Sequence, residues 1–464
     1  MSLKSSILYA ALCAVLLFVS AARADQIDDY VRAQMQEKHV PGAAIAVVKN
    51  GRVVKMQGYG LANVELNVPV TKDTVFEIGS VSKQITAAGI MLLVEDGKIN
   101  LDEKISKYLP NTPETWKSVS VRNLLTHTSG IKSYTGLSGF ELSNRMTRDD
   151  FIKKLAVEPL DFPTGDRYTY SNSGYSLLGY IIESASGKNY WDFMRERIFA
   201  PLGMTKTADR DPQFIVPNRA DGYEWTNGKL VGRDYSLTDL FAAGAIVSTI
   251  EDLTKWEAGM AGEKFLKAES KAQMWTPLTF NSGEHFGYGF GWNIGEFRAH
   301  KLISHGGQTA GFAANVSRYV DDQLTVIVLT NNGEQGLGGV IARGIAKIEI
   351  PAISLRAMKT QTNSDAKMAQ MFETALRGRI ENKTNANLYS PELQKTLETN
   401  RQKMLTARLG DLKFLKNFAF VGSEKSGEKQ IYRYRAEAGS KLMLWRFTAD
   451  ENGRISEMML EEEE

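Results

Sequence analysis
Strand-forming sequence stands at both ends of residues 25–350 and is sparse between them, so a compact fold must bring the two ends together. Near the start, Ala43 to Lys49 and Arg52 to Gln57 flank Asn50-Gly51. Both residues of that pair tolerate positive φ, which marks a tight hairpin. Near the end, Tyr288 to Ile294, Leu302 to Ser304, Ala310 to Tyr319 and Leu324 to Leu329 return to β character, with Asp321-Asp322 as a turn between the last two. From about residue 100 to 280 the pattern is helices and long loops. Helical spacing marks Asp25 to His39 (Ile27, Tyr30, Val31, Met35), which Pro41-Gly42 ends, then the apolar stretch Val81 to Glu95 and the closing segment Gly338 to Ile348. The expected fold class is α+β: an antiparallel sheet made by both ends and flanked by helices, beside an all-helical lobe. Substrate would lie in the cleft between sheet edge and lobe.

At 464 residues the chain is long for one domain. Composition turns polar across 351–364, ending in Lys359-Thr360-Gln361-Thr362-Asn363-Ser364, and this stretch reads as a linker. Residues 365–464 then read as a small α+β domain. Helical patterns around Met368–Leu376 and Ser390–Leu409 precede strand-like runs at Phe418–Gly422, Gln430–Ala436, Lys441–Thr448 and Ile455–Leu460, a cystatin-like order. Its aromatic positions (Phe418, Tyr432, Trp445, Phe447) alternate with polar ones, as in a half-buried sheet. It carries no catalytic constellation; a cap over the cleft, an oligomer contact and a substrate-binding role all fit it.

Residues 1–24 read as a secretory signal peptide: Lys4, an apolar run from Ile7 to Val19, and Ala22-Arg23-Ala24 as a small-x-small cleavage site. The run is short for a membrane span. Loss of Lys4 and Arg23 takes the formal net charge from +2 to zero, so neither a nucleic-acid nor a membrane-surface partner is expected. The expected location is the periplasm or the exterior. Cys13, the only cysteine, goes with the same segment, which excludes disulfides, thiolate catalysis and Cys-ligated zinc from the mature chain. The five histidines, at 39, 127, 285, 300 and 305, lack metal-ligand spacing, and no metal or cofactor is expected.

A serine hydroxyl becomes a useful nucleophile when a base takes its proton and donors receive the oxyanion. Ser80-Val81-Ser82-Lys83 supplies one arrangement, because Lys at i+3 leans over Ser at the start of a helix. The bare pattern recurs at Ser129/Lys132, Ser364/Lys367 and Ser426/Lys429, but only Ser80 precedes an apolar helix. Gly79 permits the tight entry. Ser82 as a helix N-cap is the competing reading. Downstream, Tyr170-Ser171-Asn172 offers a phenol whose pKa a nearby ammonium would lower, and an amide to orient Lys83 and substrate. Tyr168 and Tyr175 are rivals for the phenol. Ser304-His305-Gly306-Gly307-Gln308 ends a β run, where two glycines would let a substrate backbone approach closely. The backbone N–H groups of Gln308 and Ser80 could form an oxyanion hole.

With Phe76 to Lys83, Leu124-Leu125-Thr126-His127-Thr128-Ser129-Gly130, Tyr170 to Tyr175, Pro201-Leu202-Gly203-Met204, His305-Gly306-Gly307 and Gly311-Phe312 in this order, residues 25–350 resemble the serine β-lactamase-related superfamily. The similar branch holds class C β-lactamases, D-alanyl-D-alanine carboxypeptidases, D-aminopeptidases and esterases. The resemblance implies a five-stranded antiparallel sheet, a Ser80 acyl-enzyme, proton transfer shared by Lys83 and Tyr170, and Asn172 positioning substrate. It implies a scaffold role for His127. In β-lactamases of this superfamily the third motif usually begins with Lys; here it is His305, largely neutral at pH 7. That weakens selection for substrates with a free carboxylate, such as β-lactams. The expectation is a hydrolase of esters or small amides, ahead of a β-lactamase or D,D-carboxypeptidase. A binding protein on a retained scaffold is the alternative of another class.

Overall fold
A computed structural model describes residues 25–463 except 139–145, 234, 236–237, 363–364, 382, 384, 411, 427–428 and 440. Residues 1–24, expected to be a signal peptide, and Ser364 of one competing tetrad therefore lie outside the described residues. The chain divides into two compact units, one ending at Glu349 and the other starting at Ile350.

The first unit is built on a mixed-origin antiparallel sheet. Its strands are β1 (Gly42–Lys49), β2 (Arg52–Asn63), β3 (Val68–Pro69), β4 (Asn293–Phe297), β5 (His300–Thr309), β6 (Phe312–Tyr319) and β7 (Leu324–Thr330), in the spatial order β4-β5-β6-β7-β1-β2-β3. The N-terminal hairpin thus joins the C-terminal strands through β1 and β7, with Ile45 opposite Val328 and Val47 opposite Val326. Asn50 and Gly51 both have positive φ, 51° and 72°, as a two-residue hairpin turn between twisted strands requires. The sheet has seven strands rather than the expected five. Edge strand β3, with two residues, is too short to stand out from flanking loops, and edge strand β4 starts five residues later than the Tyr288 to Ile294 run expected there.

Every residue of β7 is buried, which requires cover on both faces of the sheet. Helices Ile250–Ala261 and Leu337–Glu349 both pack against it. The lobe beside the sheet centres on α1 (Ser82–Glu95) and α2 (Asn172–Ser186), with the short helix Phe241–Gly244 against both. Side chains of α1 from Ser82 to Leu93 are all buried, so this helix is the lobe's axis. The lobe is not all-helical: Val75–Glu77, Ile246–Thr249 and Ala208–Asp209 form a small antiparallel sheet, and Tyr223–Thr226 pairs with Lys229–Gly232. Strands of two to four residues carry no usable period, which is why the sequence pattern passes over them.

The second unit is a four-stranded antiparallel meander, Leu415–Ser426, Lys429–Ala438, Lys441–Ala449 and Ile455–Glu463, preceded by helices including Ala366–Ile380. Phe372 and Leu376 of that helix share a core with Tyr434, Trp445 and Phe447. The stretch 351–364 differs from the linker expected of it. Leu355 is fully buried with Val421, Leu442 and Leu444, and Gln361 N–H donates to the Phe420 carbonyl. Ile353 is buried too, and Arg435 donates to the Leu355, Arg356 and Met358 carbonyls, so this stretch is packed and hydrogen-bonded. Among the described residues no helix is long and apolar enough to cross a membrane.

Candidate active site
The chain passes from strand Val75–Glu77 through Gly79 into a 3-10 turn, Gly79–Val81, and then into α1. Gly79 has φ +51°, and a Cβ there would lie 2.7 Å from Gln308 N, so both conformation and space demand glycine. Ser80 sits on this turn, half-buried, while Ser82 and Lys83 behind it are fully buried. Ser82 is not the N-cap. Val81 occupies that position, and Ser82 Oγ accepts the Ile246 N–H at 3.3 Å inside the lobe.

Three groups surround the Lys83 amine: Ser80 Oγ at 3.1 Å, Asn172 Oδ1 at 2.7 Å and the Ala243 carbonyl at 2.7 Å. Burial pushes its pKa well down. The Tyr170 and Tyr175 rings stand 4.7 and 5.4 Å from Nζ. Tyr170 donates its phenol proton to Ser80 Oγ at 2.7 Å. Contrary to the expectation that the lysine would lower its pKa, burial drives this phenol upward, and it stays protonated. Tyr168 instead stacks on Phe286 at 4.3 Å, and Tyr175 Oη donates to the Leu125 carbonyl at 2.9 Å. Asn172 opens α2, where Ser171 is the N-cap; its Oδ1 faces Lys83 and its Nδ2 donates to Thr135 Oγ1 at 3.2 Å.

The third element is β5. Its pairing with β4 ends at Ser304, so from His305 onward it is the edge of the sheet. A Cβ on Gly307 would lie 1.9 Å from the Ile78 carbonyl oxygen and 3.1 Å from Ser80 N. At Gly307 the protein's own Gly79–Val81 turn thus makes a close approach. It also brings the amides of Ser80 and Gln308 to the same seam. Glu77, just before the turn, accepts from Arg210 Nε at 2.9 Å and from Thr309 Oγ1 at 2.7 Å, tying strand β5 down in the buried interior.

His305 presents no free ring nitrogen to this seam. Nδ1 meets the Gly306 carbonyl at 2.6 Å, and Nε2 meets Tyr288 Oη at 3.0 Å. Burial, and then the charge of Lys83, push its pKa down to about 4. The unfolded chain protonates this group near its ordinary value of about 6.5. Its contribution to stability is therefore complete above pH 6.5 and is lost as pH falls toward 4. Burial shifts His127 in the same direction. Urea unfolding at pH 7 and pH 4.5 should show a loss of about 2 kcal/mol from His305, and His305→Gln should lessen that dependence.

The structure thus gathers Ser80, Lys83, Tyr170 and Asn172 into one hydrogen-bonded group and sets Gly307 and Gln308 against it. It adds Ala243, Glu77, Arg210 and Tyr288, which sequence reasoning missed. A backbone carbonyl has no signature in sequence, and Tyr288 lies in Gly287-Tyr288-Gly289-Phe290-Gly291-Trp292, a glycine-rich run that reads only as strand or loop.

A serine held between an amine and a phenol, where a sheet edge meets a helical lobe, defines a serine hydrolase of the penicillin-recognising fold. The chain belongs to the Beta-lactamase family, whose model matches residues 27–348. It is 31% identical over 317 residues to Penicillin-binding protein 4* of Bacillus subtilis strain 168, a match covering 64% of this chain and 70% of that one. It is 27% identical to Protein flp of Staphylococcus aureus strain COL, over 66% of this chain and 62% of the relative, so the likeness spans less than two thirds of that protein. Among solved structures, D-amino acid amidase from Ochrobactrum anthropi SV3, complexed with L-phenylalanine amide, superposes with TM-score 0.60 at 27% identity, over 71% of this chain and 96% of the amidase. The octameric penicillin-binding protein homologue from Pyrococcus abyssi superposes with TM-score 0.62 at 24% identity, over 92% of this chain and 97% of that one, and so shares the fold.

Proposed function
We propose that this chain is an exported hydrolase that opens esters and small amides through an acyl-enzyme on Ser80. One observation carries the reading: Ser80 Oγ accepts the Tyr170 phenol proton at 2.7 Å and lies 3.1 Å from Lys83 Nζ. Asn172 Oδ1 and the Ala243 carbonyl can only accept, so two positions on the Lys83 nitrogen must be N–H. In the neutral amine that burial favours, the third position is a lone pair aimed at Ser80. Lys83 then takes the serine proton as Oγ attacks the substrate carbonyl. Tyr170, still protonated, delivers a proton to the leaving atom, and attack by water reverses the sequence to free the acid. The amides of Ser80 and Gln308 receive the oxyanion.

Neutral His305, with both nitrogens engaged, offers a substrate carboxylate no charge partner. That places esters and small amides first, and the likeness to D-amino acid amidase supports an amide substrate. The likeness to Penicillin-binding protein 4* supports the second reading, action on β-lactams or peptidoglycan peptides. In this scheme residues 1–24 direct export to the periplasm or beyond and are removed, 25–350 form the hydrolase domain, and 365–464 form the accessory α+β domain.

Intact-protein mass spectrometry after a fluorophosphonate should show one adduct, mapping to the Ser80 peptide and missing from Ser80→Ala. Persistent labelling of Ser80→Ala would sink the assignment, and ligand binding without any adduct would favour a non-catalytic receptor. A panel of short-chain p-nitrophenyl esters, D-amino-acid amides and nitrocefin then ranks the substrates. Efficient nitrocefin turnover with no ester cleavage would put β-lactams first and esters last.

A further inference from the structure
Behind the nucleophile lies a hydrogen-bonded chain whose proton positions the geometry fixes. The Ser171 backbone N–H, 3.1 Å from His127 Nδ1, can only donate, so Nδ1 carries a lone pair. Neutral His127 therefore bears its proton on Nε2, 3.2 Å from Tyr288 Oη. At the far end the Gly306 carbonyl can only accept, so His305 Nδ1, 2.6 Å away, carries the proton and Nε2 the lone pair. Tyr288 Oη lies 3.0 Å from that lone pair. The arrangement that satisfies both imidazoles is His127 Nε2–H donating to Tyr288 and Tyr288 O–H donating to His305 Nε2, with Tyr175 Oη as a second acceptor beside the Tyr288 hydroxyl. Tyr175, whose ring also packs on His127, gives its own proton to the Leu125 carbonyl and does not supply one here.

We propose that Tyr288 is a positioning residue that locks His127 and His305 in opposite neutral tautomers and so holds the Tyr170–Asn172 segment in register with the Gly306–Gly307 edge of β5. The donor end of the chain is the amide between Tyr170 and Asn172. The acceptor end is the carbonyl just before Gly307, which packs on the nucleophile turn. A phenol that both accepts and donates is the one link able to join these ends without a charge. Adding a proton at either imidazole breaks the order, since His127 Nδ1–H would face the Ser171 N–H and His305 Nε2–H would face the Tyr288 O–H. The groups around the pair also oppose charge. His127 is ringed by Tyr168, Tyr170, Tyr175 and Tyr288, at centroid distances of 5.7, 4.4, 5.1 and 4.9 Å. Tyr170 and Tyr288 flank His305 at 6.3 and 5.8 Å. A proton on Lys83 would disfavour both imidazoliums, and a charged His305 would disfavour the imidazolium of His127.

The inference rests on the hydrolase reading only for its effect on turnover. Two-bond proton–nitrogen NMR spectra of the ¹⁵N-labelled full chain read the tautomers directly, and with five histidines the assignment is tractable through His127→Gln and His305→Gln. The expected spectrum shows His127 as the Nε2–H form and His305 as the Nδ1–H form, neither titrating between about pH 5 and 8. In Tyr288→Phe, where no hydroxyl meets its Nε2, His305 should change tautomer or titrate at a higher pH than in the wild type. kcat/KM for the best ester should fall about 10- to 100-fold, mostly in kcat, with a new acid limb in its pH profile. Two Nε2–H imidazoles in the wild type, or an ordinary titration of either, would overturn the proposal. So would an unchanged pH profile in a folded Tyr288→Phe. Should that variant not fold, the wild-type spectrum decides alone. Failure of Ser80 to acylate counts against the hydrolase reading and leaves the tautomer result standing.

Discussion

Lys83→Met should lower kcat/KM for the best substrate by about a thousandfold or more, roughly 4 kcal/mol of transition-state stabilisation. The methionine fills a similar volume but has no basic nitrogen to take the Ser80 proton. Tyr170 cannot substitute, because burial holds its phenol protonated. The fold should survive. The change leaves Asn172 Oδ1 and the Ala243 carbonyl without their donor, a cost of about 1–3 kcal/mol, and removes an amine that is itself costly to bury. Circular dichroism and the unfolding midpoint would separate lost chemistry from lost structure. In the wild type, kcat/KM should climb with pH as Lys83 loses its proton, at a pH well below the ordinary lysine range. A folded Lys83→Met with unchanged turnover would remove lysine from the mechanism.

Gly307→Ala should be nearly as damaging, and Gly306→Ala mild. The added Cβ at 307 would stand 1.9 Å from the Ile78 carbonyl oxygen, a backbone atom that no rotamer change can move aside. Strand β5 must then shift off the nucleophile turn, carrying Gln308 N with it. A displacement near 1 Å at reacting groups costs on the order of 100-fold in rate, and the overpacking costs about 1–3 kcal/mol of stability. At Gly306 the nearest atoms to a new Cβ lie 3.8 and 3.9 Å away, ordinary contact, so the stability change should stay under about 1 kcal/mol. Equal effects at both positions would show that substrate, and not the nucleophile turn, is what needs the pair of glycines.

What sequence could and could not reveal follows the range of the interactions involved. The Asn50-Gly51 hairpin, the strands β5 to β7 and the apolar helix after Ser80 leave local patterns, and all were legible. The order of Ser80-x-x-Lys83, Tyr170-x-Asn172 and His305-x-Gly307 was legible as well. The direction of the Tyr170 shift was not, because it depends on burial among residues from several distant segments. The bond from Lys83 to Ala243 was hidden because it uses a backbone carbonyl, whereas the one to Asn172, though it crosses 89 positions of sequence, was expected from the Tyr170-x-Asn172 motif. Gly307 was flagged for close approach by a substrate, and the structure adds a close approach by the protein's own backbone. Ile78 could not be named without knowing that β5 docks on the turn.

The pairing of β1 with β7 also bears on when the enzyme comes into being. Those strands stand roughly 280 residues apart in sequence, and such non-local pairing is slow to form. The seam between β5 and the Ser80 turn closes late as well, since Gly307 must reach Ile78 across more than 200 residues of sequence. A ribosome that has released Ser80 and Lys83, and even Tyr170, has made no active site. Nearly the whole first unit must emerge before the sheet can close over the turn. For a polypeptide threaded unfolded across a membrane, the route proposed for this one, late closure keeps the chain extended and the serine inert until it has arrived.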